Sequence, residues 1–301
     1  MTDATSREIS ITRMIDAPCD LVFKAWTDRE HLARWWGPEG FTAPSVESDP
    51  RPGGTLTIVM RGPDGVDYPM SGVYREVEPP HRLVTEVTAS GPDGRSALEA
   101  VTTLTLVDHG GKTELTVHER AVALIPEAGP MLGGMEVGMV QSLRKLDDVL
   151  TGAMDRQIVL MRMLEAPRER VFEVWTTPEH LQHWYGPDGF TLTTHEMDVR
   201  PGGVWRFTMH GPDGVDYSNE LIYDQVIAPE LLSYEHRSSP DADDPAFRGS
   251  ATFDEFMGMT ILTMRMVFET AAERDETVEK YNAVEGGNQT LDRLVAYLSK
   301  N

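Results

Sequence analysis

The chain has 301 residues, 40% of them hydrophobic and 8% aromatic, which is enough for two ordinary domains each with its own core. Its 49 acidic residues against 27 basic ones give a formal net charge of −22, a balance that repels phosphate backbones and anionic lipid surfaces. Nucleic-acid and membrane partners are therefore not expected. No apolar run approaches the roughly 18 residues of a membrane span, and the stretch MTDATSREIS has no basic cluster leading into an apolar core, so a cytoplasmic protein is expected. The single cysteine, Cys19, has no partner for an internal disulfide and reads as an ordinary helix-start residue.

In chain order, a first strand is followed by Val22, Phe23 and Trp26 at helical spacing after Pro18, then by a second short helix from about Arg29 to Trp36 that stops at Gly37-Pro38. Period-two patterning comes next. Tight turns punctuate it at Gly62-Pro63-Asp64-Gly65, Gly91-Pro92-Asp93-Gly94 and Gly110-Gly111, so the strands pair antiparallel. Leu132, Met135, Met139, Leu143, Leu146 and Leu150 then form one stripe of a long amphipathic helix that Gly152 terminates. Strand-like residues resume at Arg156 after a linker of only a few residues.

From there the order repeats. Residues from about Ile15 to Glu86 align without a gap on Leu164 to Glu235 at an offset of 149, with roughly half the positions identical. The shared text includes EHL at Glu30 and Glu179, RPGG at Arg51 and Arg200, and GPDGVDY at Gly62 and Gly211. After Glu86 the copies diverge, and they realign only at GMVQSLRKL from Gly138 and GGNQTLDRL from Gly286. In the second copy Trp205, Phe207 and Met209 alternate with Val204, Arg206 and Thr208, and Leu262, Met264, Met266 and Phe268 with Thr263, Arg265 and Glu269. A sheet that is apolar on one face must be covered, and the closing helix of each copy is the element long enough to do it. The expected fold class is α+β: two tandem domains, residues 1–153 and 154–301, each a curved antiparallel sheet wrapped around a long C-terminal helix, with two short helices after the first strand.

The segments DREHLARWWGP from Asp28 and TPEHLQHWYGP from Thr177, the RPGG that follows each, and the GxxQSL-type closing helix resemble the activator of heat-shock protein 90 ATPase homologue branch of the SRPBCC (START-like) superfamily. The resemblance covers nearly all of both copies. It implies a helix-grip fold with an elongated apolar cavity between sheet and long helix, in which known members hold hydrophobic small molecules or act on polyketide-like substrates. Where the family usually carries a tryptophan in the last helix, this chain has Met139 and Gly287. The aligned inward positions of the first hairpin are Leu56 and Ile58 in copy one but Trp205 and Phe207 in copy two. Trp205 is accordingly expected to fill the space left by Gly287, leaving copy one with the more adaptable cavity around Met60, Met135 and Met139.

Candidate cavity residues follow from these positions. Trp35 and Trp36, with Trp184 and Tyr185, stand where the fold places one mouth of the cavity, although one of each pair also suits a core position. Tyr68, Tyr74, Tyr217 and Tyr223 lie on the strands after the GPDG turns, as polar anchors or as structural tyrosines. His31 and His180 have no repeated nucleophile at a recognisable spacing and suit helix packing or capping. His180 and His183 lack a third metal ligand, and the acidic run from Asp241 lacks calcium-loop spacing. Arg51 and Arg200 have Asp49 and Asp198 as near partners. No hydrolase, zinc-protease, phosphate-loop or dinucleotide motif is present. No catalytic residue, metal or cofactor is assigned. The expected function is non-catalytic binding of a small hydrophobic or aromatic molecule. The alternatives are a cyclase- or dehydratase-like enzyme acting in the same cavity and a chaperone-cofactor or stress-related interaction protein.

Overall fold

The computed structural model describes residues 6–91, 94–238 and 246–300, so the acidic run from Asp241 and part of the Gly91 turn lie outside the described residues. The chain divides into two compact units, Met1–Met154 and Asp155–Asn301. Unit one runs β1 (Ser6–Ile15), α1 (Cys19–Thr27), α2 (Arg29–Trp35), β2 (Thr42–Ser48), β3 (Thr55–Arg61), β4 (Asp67–Glu78), β5 (Arg82–Ser90), β6 (Ser96–Asp108), β7 (Thr113–Ala123) and α3 (Gly129–Leu150). Unit two runs β8 (Gln157–Leu164), α4 (Arg168–Thr176), α5 (Pro178–Trp184), β9 (Thr191–Met197), β10 (Val204–His210), β11 (Asp216–Ile227), β12 (Leu231–Arg237), β13 (Phe247–Phe256), β14 (Met259–Val267), α6 (Ala271–Tyr281) and α7 (Ala283–Leu298).

Each unit is a seven-stranded antiparallel sheet, in the order β1-β7-β6-β5-β4-β3-β2 and β8-β14-β13-β12-β11-β10-β9. Local chemistry explains the shared framework. Pro18 and Pro167 are fixed in the extended region and start α1 and α4. Asp28 ends α1 and caps α2, its side chain accepting from the amides of Glu30 and His31. The RPGG text is explained by Gly54 and Gly203, where a Cβ would come within 2.0 Å of the Asp49 and Asp198 carbonyl oxygens. A register shift at Tyr74/Glu76 recurs at Tyr223/Gln225, adding twist at the same place in both sheets.

One face of each sheet packs on its terminal helix. Leu143 and Leu146 of α3, and Leu291 and Leu294 of α7, are fully buried against it, and each such side chain contributes about 1.5–3 kcal/mol. The closing helices differ. The 22-residue α3 is continuous and ends before Gly152, whose φ is +71°. Unit two instead has an 11-residue α6, opened by a Thr270–Glu273 capping box, and then a 16-residue α7. Asn282 separates them with φ 49° and ψ 43°, the left-handed conformation that Asn tolerates and that ends the helical ladder.

Candidate functional site

The sheet face toward the helix differs most between the units along one row across three strands. In unit one Thr85, Thr102 and Glu119 lie opposite one another on β5, β6 and β7. The matching row in unit two is found from a repeated bond. Thr113 donates to the Ala17 carbonyl at 2.6 Å, and Thr260 donates to the Ala166 carbonyl at 2.7 Å. Counting six residues from each threonine pairs Glu119 with Met266, and the strand register then pairs Thr102 with Gly249 and Thr85 with Tyr234. A polar row in one unit is thus a tyrosine, a glycine and a methionine in the other.

These substitutions fill unit two. The Tyr234 ring lies on Gly249, where a Cβ would come 2.2 Å from its Cε2. Trp205 and Phe207 stack with centroids 4.1 Å apart, and Tyr185 packs edge-on against both. Burial pushes the Tyr185 hydroxyl up to about 12, and raises Tyr223 and Tyr234 as well. A groove of about 400 Å³ also lies on unit two, but Ile222, Asp224, Ser233 and Glu235 in its wall alternate with the inward Tyr223 and Tyr234. It therefore opens on the outer face of the sheet and not between sheet and helix.

Unit one keeps smaller residues in the equivalent volume. Trp26, Trp36, Leu56, Leu83, Thr85, Thr102 and Leu104 line a small, partly open void of about 10 Å³, room for about one water molecule. The Trp26 indole N–H is buried there without a partner. Glu119, opposite Thr102 on the neighbouring strand, is partly buried, and its carboxyl is held up by burial, opposed by a hydrogen bond from Thr102.

The sequence candidates divide accordingly. Trp35 and Trp184 are core residues, and the Trp35 indole donates to the Ala25 carbonyl at 2.9 Å. Trp36 and Leu56 wall the void, whereas Ile58 is wholly buried beside it. Tyr74 is buried with its hydroxyl 2.8 Å from Ser48 Oγ. Tyr223 occupies the same position in unit two. Tyr68 and Tyr217 pack on Phe41 and Phe190 beside the turns. Met60 and Met139 border the main core of unit one, but Met135 belongs to a separate cluster with Leu98 and Leu132, so the three methionines do not line one cavity. The expectation that Trp205 fills the space at Gly287 is corrected: Leu160 Cδ1 sits 2.2 Å from where a Gly287 Cβ would be. The residue on the facing strand, rather than the one on the hairpin, closes that gap.

The remaining candidates have partners close by. His31 Nδ1 lies 2.8 Å from Asp28 Oδ1, and His180 Nδ1 lies 2.7 Å from the Tyr297 hydroxyl, where His183 also stacks. Arg51 and Arg200 pair with Asp49 and Asp198 at 2.9 and 2.8 Å. Among the described residues no three His, Cys, Asp or Glu side chains converge as a metal-ligand group, and no helix is long and apolar enough to cross a membrane.

Sequence reasoning missed Glu119 in unit one and a His–Asn pair in unit two. Asn219 Nδ2 donates to the Tyr217 carbonyl at 2.8 Å, which turns its Oδ1 toward His236 Nε2, also at 2.8 Å. Nε2 therefore carries the proton, and the buried Nδ1 has a lone pair without a partner. Burial lowers His236 to about 4, so the ring is neutral at pH 7. The aligned residues of unit one are Met70 and Val87. A signal was present in both strands: Glu119 continues the inward series Thr113, Leu115, Val117, and His236 continues Leu232, Tyr234.

Residues 16–151 and 165–299 each match the family described as Activator of Hsp90 ATPase homolog 1-like protein. The chain belongs to this family. Each family segment runs from the end of the first strand of a unit through its closing helix, and each unit has the antiparallel sheet and terminal helix of the helix-grip arrangement, so the chain is a tandem AHSA-type SRPBCC protein. Similar solved structures include a Mycobacterium smegmatis protein at 24% identity, covering 48% of this chain and 91% of that one with a TM-score of 0.44. A Rhodobacter sphaeroides protein is 27% identical over 50% of this chain and 95% of its own, with a TM-score of 0.41. The AHSA1 protein from Silicibacter pomeroyi is 24% identical over 48% of this chain and 98% of its own, with a TM-score of 0.42. No curated protein matches the chain.

Proposed function

We propose that unit one binds a small apolar or aromatic molecule between its sheet and α3, without transforming it. The observation that carries this reading is a void walled by tryptophan and leucine that Thr85 and Thr102 also line, with Glu119 next to Thr102 on the adjacent strand. Ligand pockets combine a mostly apolar lining with a few placed polar groups. The void is small, so a ligand must displace side chains. Met60 and Met139 are unbranched, only partly buried and border the same core, which suits them to move. In unit two the same volume is occupied by Trp205, Phe207 and Tyr234.

The test is native mass spectrometry of the protein purified without added ligand, together with thermal shifts against a set of hydrophobic compounds. One equivalent of a small molecule, or a raised melting temperature, is expected for the natural chain and not for Leu56→Trp, which brings the unit-two residue into the unit-one pocket. Equal binding by Leu56→Trp would contradict the assignment to unit one. An enzymatic alternative would draw on His236, but a base must lie within reach of its proton, and neither the void nor the groove is lined by that residue.

A further inference from the structure

Glu119 places a carboxyl on a face built largely from leucine, valine, alanine and tryptophan. Among the described residues its one polar partner is the Thr102 hydroxyl, which is uncharged. Its register neighbours on β6 and β1 are Thr102 and Ile9, neither of them a cation. An ionised carboxylate in such a place is costly unless a counter-charge completes it, and one hydroxyl leaves most of its acceptor capacity unused.

The walls of the void that Thr102, the hydrogen-bond partner of Glu119, lines are suited to the missing partner. Trp26 and Trp36, with ring centroids 5.8 Å apart and nearly perpendicular planes, face the space that Thr102 also lines. Tryptophan faces attract ammonium groups, and an ammonium N–H donates strongly to a carboxylate. The net charge of −22 favours the approach of cations over anions. A neutral hydroxyl would supply one donor and no charge, and a carboxylic acid ligand would place like charges together.

We propose that the ligand of unit one is an apolar amine, its alkyl or aryl body held against Trp36 and Leu56 and its ammonium group held by Glu119. This rests on the reading of unit one as a binder and names the class of molecule it takes. Thr102 then serves as a positioning residue that holds the carboxylate toward the void.

The experiment is calorimetric titration of the full chain, and of Glu119→Gln, with benzylamine, benzyl alcohol and toluene at neutral pH. These probes share one body and differ in the head group. Benzylamine is expected to bind most tightly, and Glu119→Gln is expected to weaken benzylamine roughly ten-fold or more, as loss of a hydrogen bond to a charged group implies, while leaving toluene unchanged. If toluene and benzyl alcohol bind as well as benzylamine, or if Glu119→Gln keeps the amine preference, the amine assignment is overturned and the pocket remains. If none of the three binds, both readings fall. Should Glu119→Gln not fold, Glu119→Asp withdraws the carboxylate by one methylene and must reduce the same preference; an undiminished preference in that variant also overturns the proposal.

Discussion

The two units share a strand order, a bulge, a proline at the start of the first helix and the RPGG turn, yet their inner sheet faces have gone opposite ways. Unit one holds Leu56, Ile58, Thr85, Thr102 and Glu119 where unit two holds Trp205, Phe207, Tyr234, Gly249 and Met266. Bulk has replaced polarity: the aromatic residues close the interior, and Gly249 exists because the Tyr234 ring needs its space. The difference teaches that a duplicated framework leaves one copy free to keep a pocket while the other becomes a packed core. The titratable groups that burial shifts toward the neutral form include an acid in unit one, Glu119, and a base in unit two, His236.

The comparison can be broken most severely at Trp205. Trp205→Ala should cost about 3–5 kcal/mol, because the aromatic stack loses its largest member and relaxes only partly. Urea unfolding read through the unit-two transition measures this. If the vacated space stays open, toluene should then stabilise unit two, which the natural sequence does not allow. A loss under about 1 kcal/mol would mean that the stack does not fill the interior.

The second test uses pH, where the two units must respond with opposite signs. His236 is lowered to about 4 from an ordinary 6.5, so its neutral form favours folding. That stability is present above pH 6.5 and is lost as pH falls through about 4, amounting to roughly 3 kcal/mol. His236→Leu should abolish this slope, so that the difference in stability between the natural chain and the variant shows it. Glu119 is raised, so its contribution is present below its ordinary 4.5 and is lost as pH rises through its folded value. Melting temperatures of unit two falling and of unit one rising as pH drops from 6.5 to 4 is the expected pattern; parallel slopes would contradict it.

A third and smaller effect is expected at Gly249. Adding one methyl in Gly249→Ala forces the Tyr234 ring aside and should destabilise by about 1–3 kcal/mol, seen as a lower denaturant midpoint. Thr102→Ala at the matching position of unit one has no ring to displace and should cost less. The smallest effect is at Glu119: Glu119→Gln should raise the melting temperature at neutral pH, and its advantage should vanish in acid, where the natural carboxyl is protonated.

Much of the fold was legible because the copies stay in register from Ile15 to Glu86, through the short helices and the first strands, where turn residues and period-two alternation agree. The site was less so. The Thr102–Glu119 half of the row lies in the segment where the copies diverge, and the offset falls from 149 at Thr85 and Tyr234 to 147 at Glu119 and Met266, so aligned text no longer pairs the residues that share a place. Strand pairing, which acts across tens of residues, restores the match. The Gly287 gap was misread for a related reason: Leu160 and Gly287 meet only through packing of β8 on α7, and nothing in their local sequence reports it. The break at Asn282 depends on a single left-handed residue inside a run of good helix formers. Glu119 and His236 were legible in principle, as a charged and a titratable residue in otherwise inward-facing series.

The most direct test of the contrast is methyl NMR of methionine-labelled protein during titration with toluene. Met60 and Met139 border the core of unit one, and Met209 and Met266 border that of unit two. An adaptable pocket in unit one and a filled interior in unit two predict saturable shifts at Met60 and Met139 with Met209 and Met266 unmoved. Shifts at Met209 and Met266 while Met60 and Met139 stay fixed would contradict the account.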